Sequence, residues 1–245
     1  LLGLSAFAGP VNVALAGGAL SINMFSLIFK FVFLSVVLLV ILTSLSFLTE
    51  KDKHVGEYYA LILIATVGMM TVASANNLVP LFVGIEIASI STYALAAFRK
   101  RDGKSAEAGM KYFIIGATSS AILLYGMSII YGISGTLDIP LLSQRIGESA
   151  WEPATIVGLT MLIAGFGFKM AAAPFHMWAP DVYEGSPHPI TVLLAAGSKK
   201  MAFAAAFKVF LVGLVAAKAD FGFALSIVAV LTMTLGNVMA LSQTS

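Results

Sequence analysis

The sequence contains no cysteine, so it forms no disulfide, holds no thiolate metal site and cannot ligate an iron–sulfur cluster through the usual thiolates. Charge is almost as scarce. Of 245 residues only 11% are charged, against 59% hydrophobic, too little polar surface to cover a water-soluble globule. The long apolar runs lack the apolar/polar alternation of a lipid-spanning barrel, and they carry internal Gly and Pro of the kind that packed membrane helices tolerate. The formal net charge is +2, and the basic residues are split between loops and helix interiors rather than gathered into a stripe, which argues against a nucleic-acid partner. The opening stretch lacks the basic start of a targeting signal, and both ends read as cut, so the chain is expected to be a fragment.

What is present is a series of spans. A hydrocarbon core of ~30 Å needs about 20 apolar helical residues. By that ruler seven helices are predicted, at 21–48, 58–76, 78–98, 107–133, 154–178, 189–214 and 221–243. Residues 1–16 read as the tail of an earlier span, broken by Gly17 and Gly18. The expected class is therefore all-α, a polytopic transmembrane bundle forming a single transmembrane domain over 1–245 with the bilayer as its surroundings.

Basic residues in short loops stay on the cytoplasmic side. Lys51, Lys53, Arg99, Lys100, Arg101 and Lys104 fall on one side and only Arg145 and Lys218 on the other. That bias places the loops at 49–57, 99–106 and 179–188 inside, in a cell inner (cytoplasmic) membrane. In the outer loop at 134–153, Ile139, Leu142 and Ile146 recur at helical spacing and predict a short interfacial helix. Thr66, Gly68 and Ser74 recur as Thr234, Gly236 and Ser242 at the same spacing, five helices apart. An odd number of helices inverts the second copy, as an inverted-repeat transporter requires.

Ionisable side chains inside these spans carry the functional signal, because each costs ~2.5–3.5 kcal/mol at a helix centre. Glu86 stands in the third span beside Gly84, Ala88 and Ser89, small residues that let another helix approach. It reads as a proton-relay or coupling carboxyl, or as one half of a structural ion pair. Lys169 lies five residues before Pro174, which favours a helix kink or break near Met170. Interrupted membrane helices mark ion sites, and snorkelling to the cytoplasmic interface is the plainer alternative.

Lys199 and Lys200 interrupt the sixth span near its middle. Neighbours point ~100° apart on a helix, so one serves as relay and the other as a partner. Lys208 reads equally as relay or as an outer-end snorkelling residue, and Lys111 and Lys30, nearer the ends of their spans, likewise. Burial and an opposite charge shift lysine and carboxyl protonation in opposite senses, so a Glu86–Lys169 contact that opens would bias the lysine to release its proton toward Lys199. Ser198, Thr118, Ser119 and trapped water would fill the gaps. His176 and His188 do not assemble a haem or metal set. Pro180, Gly185, Pro187 and Pro189 predict a rigid turn, with Asp181 and Glu184 capping helix ends or meeting a partner subunit.

Across that turn, Pro174-Phe175-His176-Met177-Trp178-Ala179-Pro180-Asp181-Val182-Tyr183-Glu184-Gly185-Ser186-Pro187 resembles the antiporter-like membrane subunits of respiratory complex I and its relatives. The continuation Ala195-Ala196-Gly197-Ser198-Lys199-Lys200 is similar to subunit N, the mitochondrial subunit 2 type, rather than subunits L or M. Tyr58-Tyr59-Ala60-Leu61, Gly84-Ile85-Glu86, Lys111-Tyr112-Phe113 and Ala240-Leu241-Ser242-Gln243-Thr244 extend the resemblance over nearly the whole chain.

The resemblance implies inverted five-helix repeats, the first over 57–214 and the start of the second over 221–245. It also implies a proton path with Glu86 as coupling carboxyl, Lys169 as broken-helix lysine and Lys199 as central relay; Lys200, Lys208 and Lys111 are secondary candidates. The implied protein is a proton-translocating subunit of a complex I-like NADH:quinone or F420H2 dehydrogenase. It would have no cofactor or metal of its own, and quinone or methanophenazine, flavin and iron–sulfur clusters would reside in partner subunits. Ser186-Pro187-His188-Pro189 and the second lysine lean toward the archaeal F420-linked type. A multi-subunit cation/proton antiporter and a non-transporting assembly scaffold are the competing functions.

Overall fold

The computed structural model describes residues 13–48, 54–146 and 153–241. Seven helices in it are long and apolar enough to cross a membrane. In chain order these are α1 (Met24–Phe47), α2 (Val55–Ser74), α3 (Leu78–Ala96), α4 (Gly103–Ser134), α6 (Pro153–Met170), α8 (His188–Gly213) and α9, helical over Lys218–Leu241. Two short helices separate them, α5 (Ile139–Ile146) and α7 (Ala179–Gly185).

The chain divides into two compact units, one formed by residues 1–115 with 180–205 and the other by 116–179 with 206–245. In the first, Asn23 caps α1 through a reciprocal pair of bonds: Ser26 N–H donates to Asn23 Oδ1 and Asn23 N–H to Ser26 Oγ, each at 2.9 Å. Helices α2 and α3 touch through backbone. A Cβ added to Gly68 would lie 2.6 Å from both Ala88 N and Gly84 O, and one added to Gly84 would lie 2.9 Å from Gly68 O. Small residues thus bring the two helices together, as anticipated around Gly84 and Ala88.

The segment ahead of α1 departs from the sequence reading. Val13–Leu15 and Leu20–Ile22 form an antiparallel β-hairpin, β1 and β2, rather than a helix tail. Ala16, Gly17 and Gly18 all adopt positive φ, a turn geometry that no helix contains. The hairpin is tied to the α2–α3 connection, where Asn76 N–H donates to Ala19 O at 2.8 Å. Residues 1–12 of that predicted span, the basic residues Lys51 and Lys53, and Ser242, Gln243 and Thr244 lie outside the described residues.

In the second unit, α5 forms where its apolar spacing predicts, but it buries that face in protein instead of at a lipid interface. Ile139, Leu142 and Ile146 are at most 2% exposed, and Ile139 and Leu142 close around Gly213. The fifth span is also shorter than anticipated, because α6 stops at Met170. Ala171 takes φ 54°, Ala172 N–H reaches back to Gly167 O, and the chain turns through cis-Pro174 before α7 begins. Trp178 seals the turn by donating Nε1–H to Phe168 O at 3.2 Å. Of the repeat noted in the sequence, Thr66 is buried in α2 whereas its counterpart Thr234 is exposed on α9.

Candidate functional site

Within the first unit, α3, α4, α7 and α8 converge their polar side chains on one place. Tyr112 of α4 is buried, and its phenol shares hydrogen bonds with Thr92 of α3 and Ser198 of α8 while lying within electrostatic reach of Glu86. Glu86 itself is half-buried. Ser198 is followed directly by Lys199, half-buried, whose Nζ stands 5.0 Å from the centre of the Tyr183 ring. A cation over an aromatic face within ~6 Å is attracted by the ring quadrupole. Tyr112, Thr92 and Ser198 thus form a hydrogen-bonded set, with Glu86 within electrostatic reach and Lys199 next to Ser198 in sequence.

The backbone of α8 is specialised at this point. Residues Leu193–Ser198 are π-helical, and Lys199 N–H donates to Leu194 O, five residues back. A second π-helical stretch, Phe207–Gly213, includes Lys208. Single-turn insertions of this kind are frequent at functional sites because they re-aim side chains against the regular helix face. Lys200, next to the relay candidate, is exposed whereas Lys199 is half-buried.

Lys169 and Lys208 belong to the second unit, each more than nine-tenths buried. Lys169 occupies the last turn of α6, where the negative end of the helix dipole offsets part of the cost of holding an ammonium in a low-dielectric interior. Around it, Ser119 Oγ donates to Gly165 O at 3.3 Å, and Phe166 meets Phe210 edge-on at 5.8 Å. Thr118, proposed with Ser119 as a relay partner, lies on the exposed face of α4. His176 places Nε2 3.3 Å from Met239 Sδ.

Lys111 is partly exposed and ion-paired where α7 meets α4. Its Nζ bonds Asp181 at 2.5 Å and Glu107 at 2.8 Å, while Lys104 bonds Glu184 at 2.8 Å. Asp181 and Glu184 therefore hold α7 onto α4 within this chain. Gly185 completes that contact, since a Cβ there would stand 2.5 Å from Lys104 O. On the inner side of α7, burial pushes the Tyr183 phenol well above its usual titration range, reinforced by nearby Tyr112. Lys30 is half-buried in α1. Among the described residues no cluster of three or more His, Asp or Glu side chains is placed to hold a metal ion.

Residues 75–245 match the family described as NADH:quinone oxidoreductase/Mrp antiporter, transmembrane. The chain belongs to this family. Among curated members of the family, it is 51% identical over 235 residues to the F420H2 dehydrogenase subunit N of Methanosarcina mazei, covering 96% of this chain and 48% of that protein. It is 45% identical over 222 residues to the NADH-quinone oxidoreductase subunit N of Heliobacterium modesticaldum, covering 90% and 46%. Its fold superposes on a chain of respiratory complex I from Thermus thermophilus, solved with bound aureothin, with a TM-score of 0.80 at 33% identity, covering 99% of this chain and 50% of that one. The chain thus spans about half the length of the relatives it matches, and the family resemblance read from the 174–187 segment and the lysine stretch is borne out.

Tyr112 and Tyr183 are the site residues that sequence reasoning passed over. Both stood inside quoted motifs, Lys111-Tyr112-Phe113 and Asp181-Val182-Tyr183-Glu184, but an aromatic in an apolar setting reads first as packing.

Proposed function

We propose that this chain is part of a proton-translocating membrane subunit of a complex I-like oxidoreductase, in which Glu86, Lys169 and Lys199 carry protons. The observation that carries this reading is the Tyr112 phenol, which is hydrogen-bonded to Ser198 and Thr92 within electrostatic reach of Glu86, between the carboxyl of α3 and the lysine-bearing helix α8. Hydroxyls bridging two titratable groups provide donors and acceptors along which a proton can pass. Lys199 is the central relay and Lys200 is not, because only Lys199 faces this cluster. Lys169, buried at the end of an interrupted helix, and Lys208 serve the same transport in the second unit.

The relatives named for F420H2 dehydrogenase and NADH-quinone oxidoreductase support an electron-driven complex, with the higher identity on the F420H2 side. In that setting quinone or methanophenazine, flavin and iron–sulfur clusters belong to partner subunits, and the other membrane subunits of the assembly are the partners. The basic loops face the cytoplasm by the charge bias. The five-helix inverted repeat, with 57–214 as the first copy and 221–245 opening the second, belongs to the same reading.

A cation/proton antiporter is the second reading, favoured by the family's shared description with Mrp antiporters. The test is proton uptake by sealed vesicles carrying the assembled complex with Glu86→Ala or Lys169→Ala in the full-length protein. Lowered pumping and coupled turnover with intact assembly supports the proposal; unchanged pumping in both variants refutes it and leaves a scaffold role. Sodium flux without any electron donor would point to the antiporter.

A further inference from the structure

Tyr183 is the one aromatic of α7 directed into the cluster. Its hydroxyl oxygen is buried, and its ring face receives the Lys199 ammonium at 5.0 Å. The α7 backbone that carries the ring is held from both neighbours. Thr191 Oγ1, on α8, donates to Tyr183 O at 3.2 Å, and the residues on either side of the tyrosine reach α4: Asp181 through Lys111 and Glu184 through Lys104. The tight seat of Gly185 against Lys104 O leaves α7 little room to roll. What Tyr183 presents to the lysine is the π face of its ring.

We propose that Tyr183 is a positioning residue for the relay lysine: its ring seats the Lys199 ammonium beside Ser198, and the Lys111–Asp181 and Lys104–Glu184 pairs keep that ring in place. This rests on the reading of Lys199 as a relay. The seat acts on geometry. An ammonium on a flexible four-carbon stem samples many rotamers, and an aromatic face selects those that hold it next to the hydroxyl leading back to Glu86. The ring thereby supplies a directed attraction to the Lys199 ammonium.

The experiment measures donor-driven proton pumping in vesicles with the full-length protein in its assembled complex, for Lys199→Ala, Tyr183→Phe, Tyr183→Leu and a series carrying progressively fluorinated phenylalanine at position 183. Tyr183→Phe keeps the π face and is expected to pump within about twofold of the unmodified protein, whereas Tyr183→Leu loses roughly two- to thirtyfold, the range a cation–π contact spans. Should Tyr183→Leu fail to assemble, the fluorinated series decides, since fluorine withdraws the ring's negative face with little change in shape: pumping falls stepwise with each fluorine. A merely structural tyrosine would leave that series flat, which overturns the proposal. Wild-type pumping in assembled Tyr183→Leu, with Lys199→Ala impaired, overturns it equally. Undiminished pumping in Lys199→Ala instead removes the relay reading itself, and the positioning role with it.

Discussion

The Tyr112 phenol hydrogen-bonds Ser198, the residue immediately before Lys199, and lies within the field of Glu86. In the proposed relay, this buried hydroxyl is the link between the carboxyl of α3 and the lysine of α8. Removing it while keeping the ring leaves the helix packing intact and breaks the connection. Tyr112→Phe is accordingly expected to lower pumping by roughly a hundredfold or more, the range of a lost proton-transfer partner, with unchanged assembly. Vesicle pumping assays alongside native gels of the assembled complex check both halves of that expectation.

The two adjacent lysines of α8 are predicted to behave differently. Lys199 faces Tyr183 and Lys200 is exposed. Lys199→Ala should reduce pumping by roughly a hundredfold or more, as loss of a general acid–base group does, and Lys200→Ala by no more than about threefold. Equal losses in both would remove the distinction drawn from their placement.

Close backbone contact between α2 and α3 makes Gly68 intolerant of size. The Cβ of any replacement would meet Ala88 N and Gly84 O, backbone atoms that cannot rotate away. Gly68→Val should destabilise the protein by about 1–3 kcal/mol, the usual cost of overpacking. Thermal unfolding of the detergent-solubilised protein would register this as a lowered midpoint.

At the exposed end of α4, the ion pairs to Asp181 and Glu184 hold α7 through surface charges, which salt screens. Asp181→Asn combined with Glu184→Gln is expected to speed amide hydrogen exchange over residues 179–185 at low ionic strength. At ~1 M salt, where the screening length falls to about 3 Å, the variant and the original protein should exchange at more similar rates.

Much of this architecture is legible in the sequence because bilayer thickness sets helix length directly. All seven spans appear close to their predicted places, and the stop near Met170 follows from Pro174 together with the chain turning at Ala171. The hairpin at Val13–Ile22 was only partly legible: Gly17 and Gly18 marked a break, but the apolar residues on either side continue the pattern of membrane spans. The ion pairing of Lys111 was not legible for a different reason. Its carboxylate partner Asp181 is 70 residues away, and no local spacing reveals such a pair. The burial of Lys208 and the π-helical turns of α8 are products of tertiary packing, for which the residues Leu193–Ser198 and Phe207–Gly213 give no distinct local signal.

The central claim is that a carboxyl on α3 passes protons toward the α8 lysine. Glu86→Gln keeps the side chain's size and hydrogen bonding but not its exchangeable acid, so the decisive measurement is the number of protons moved per electron pair by vesicles holding this variant in its full complex. The account predicts a sharp fall in that ratio with the complex fully assembled; a ratio equal to that of the unaltered protein would contradict it.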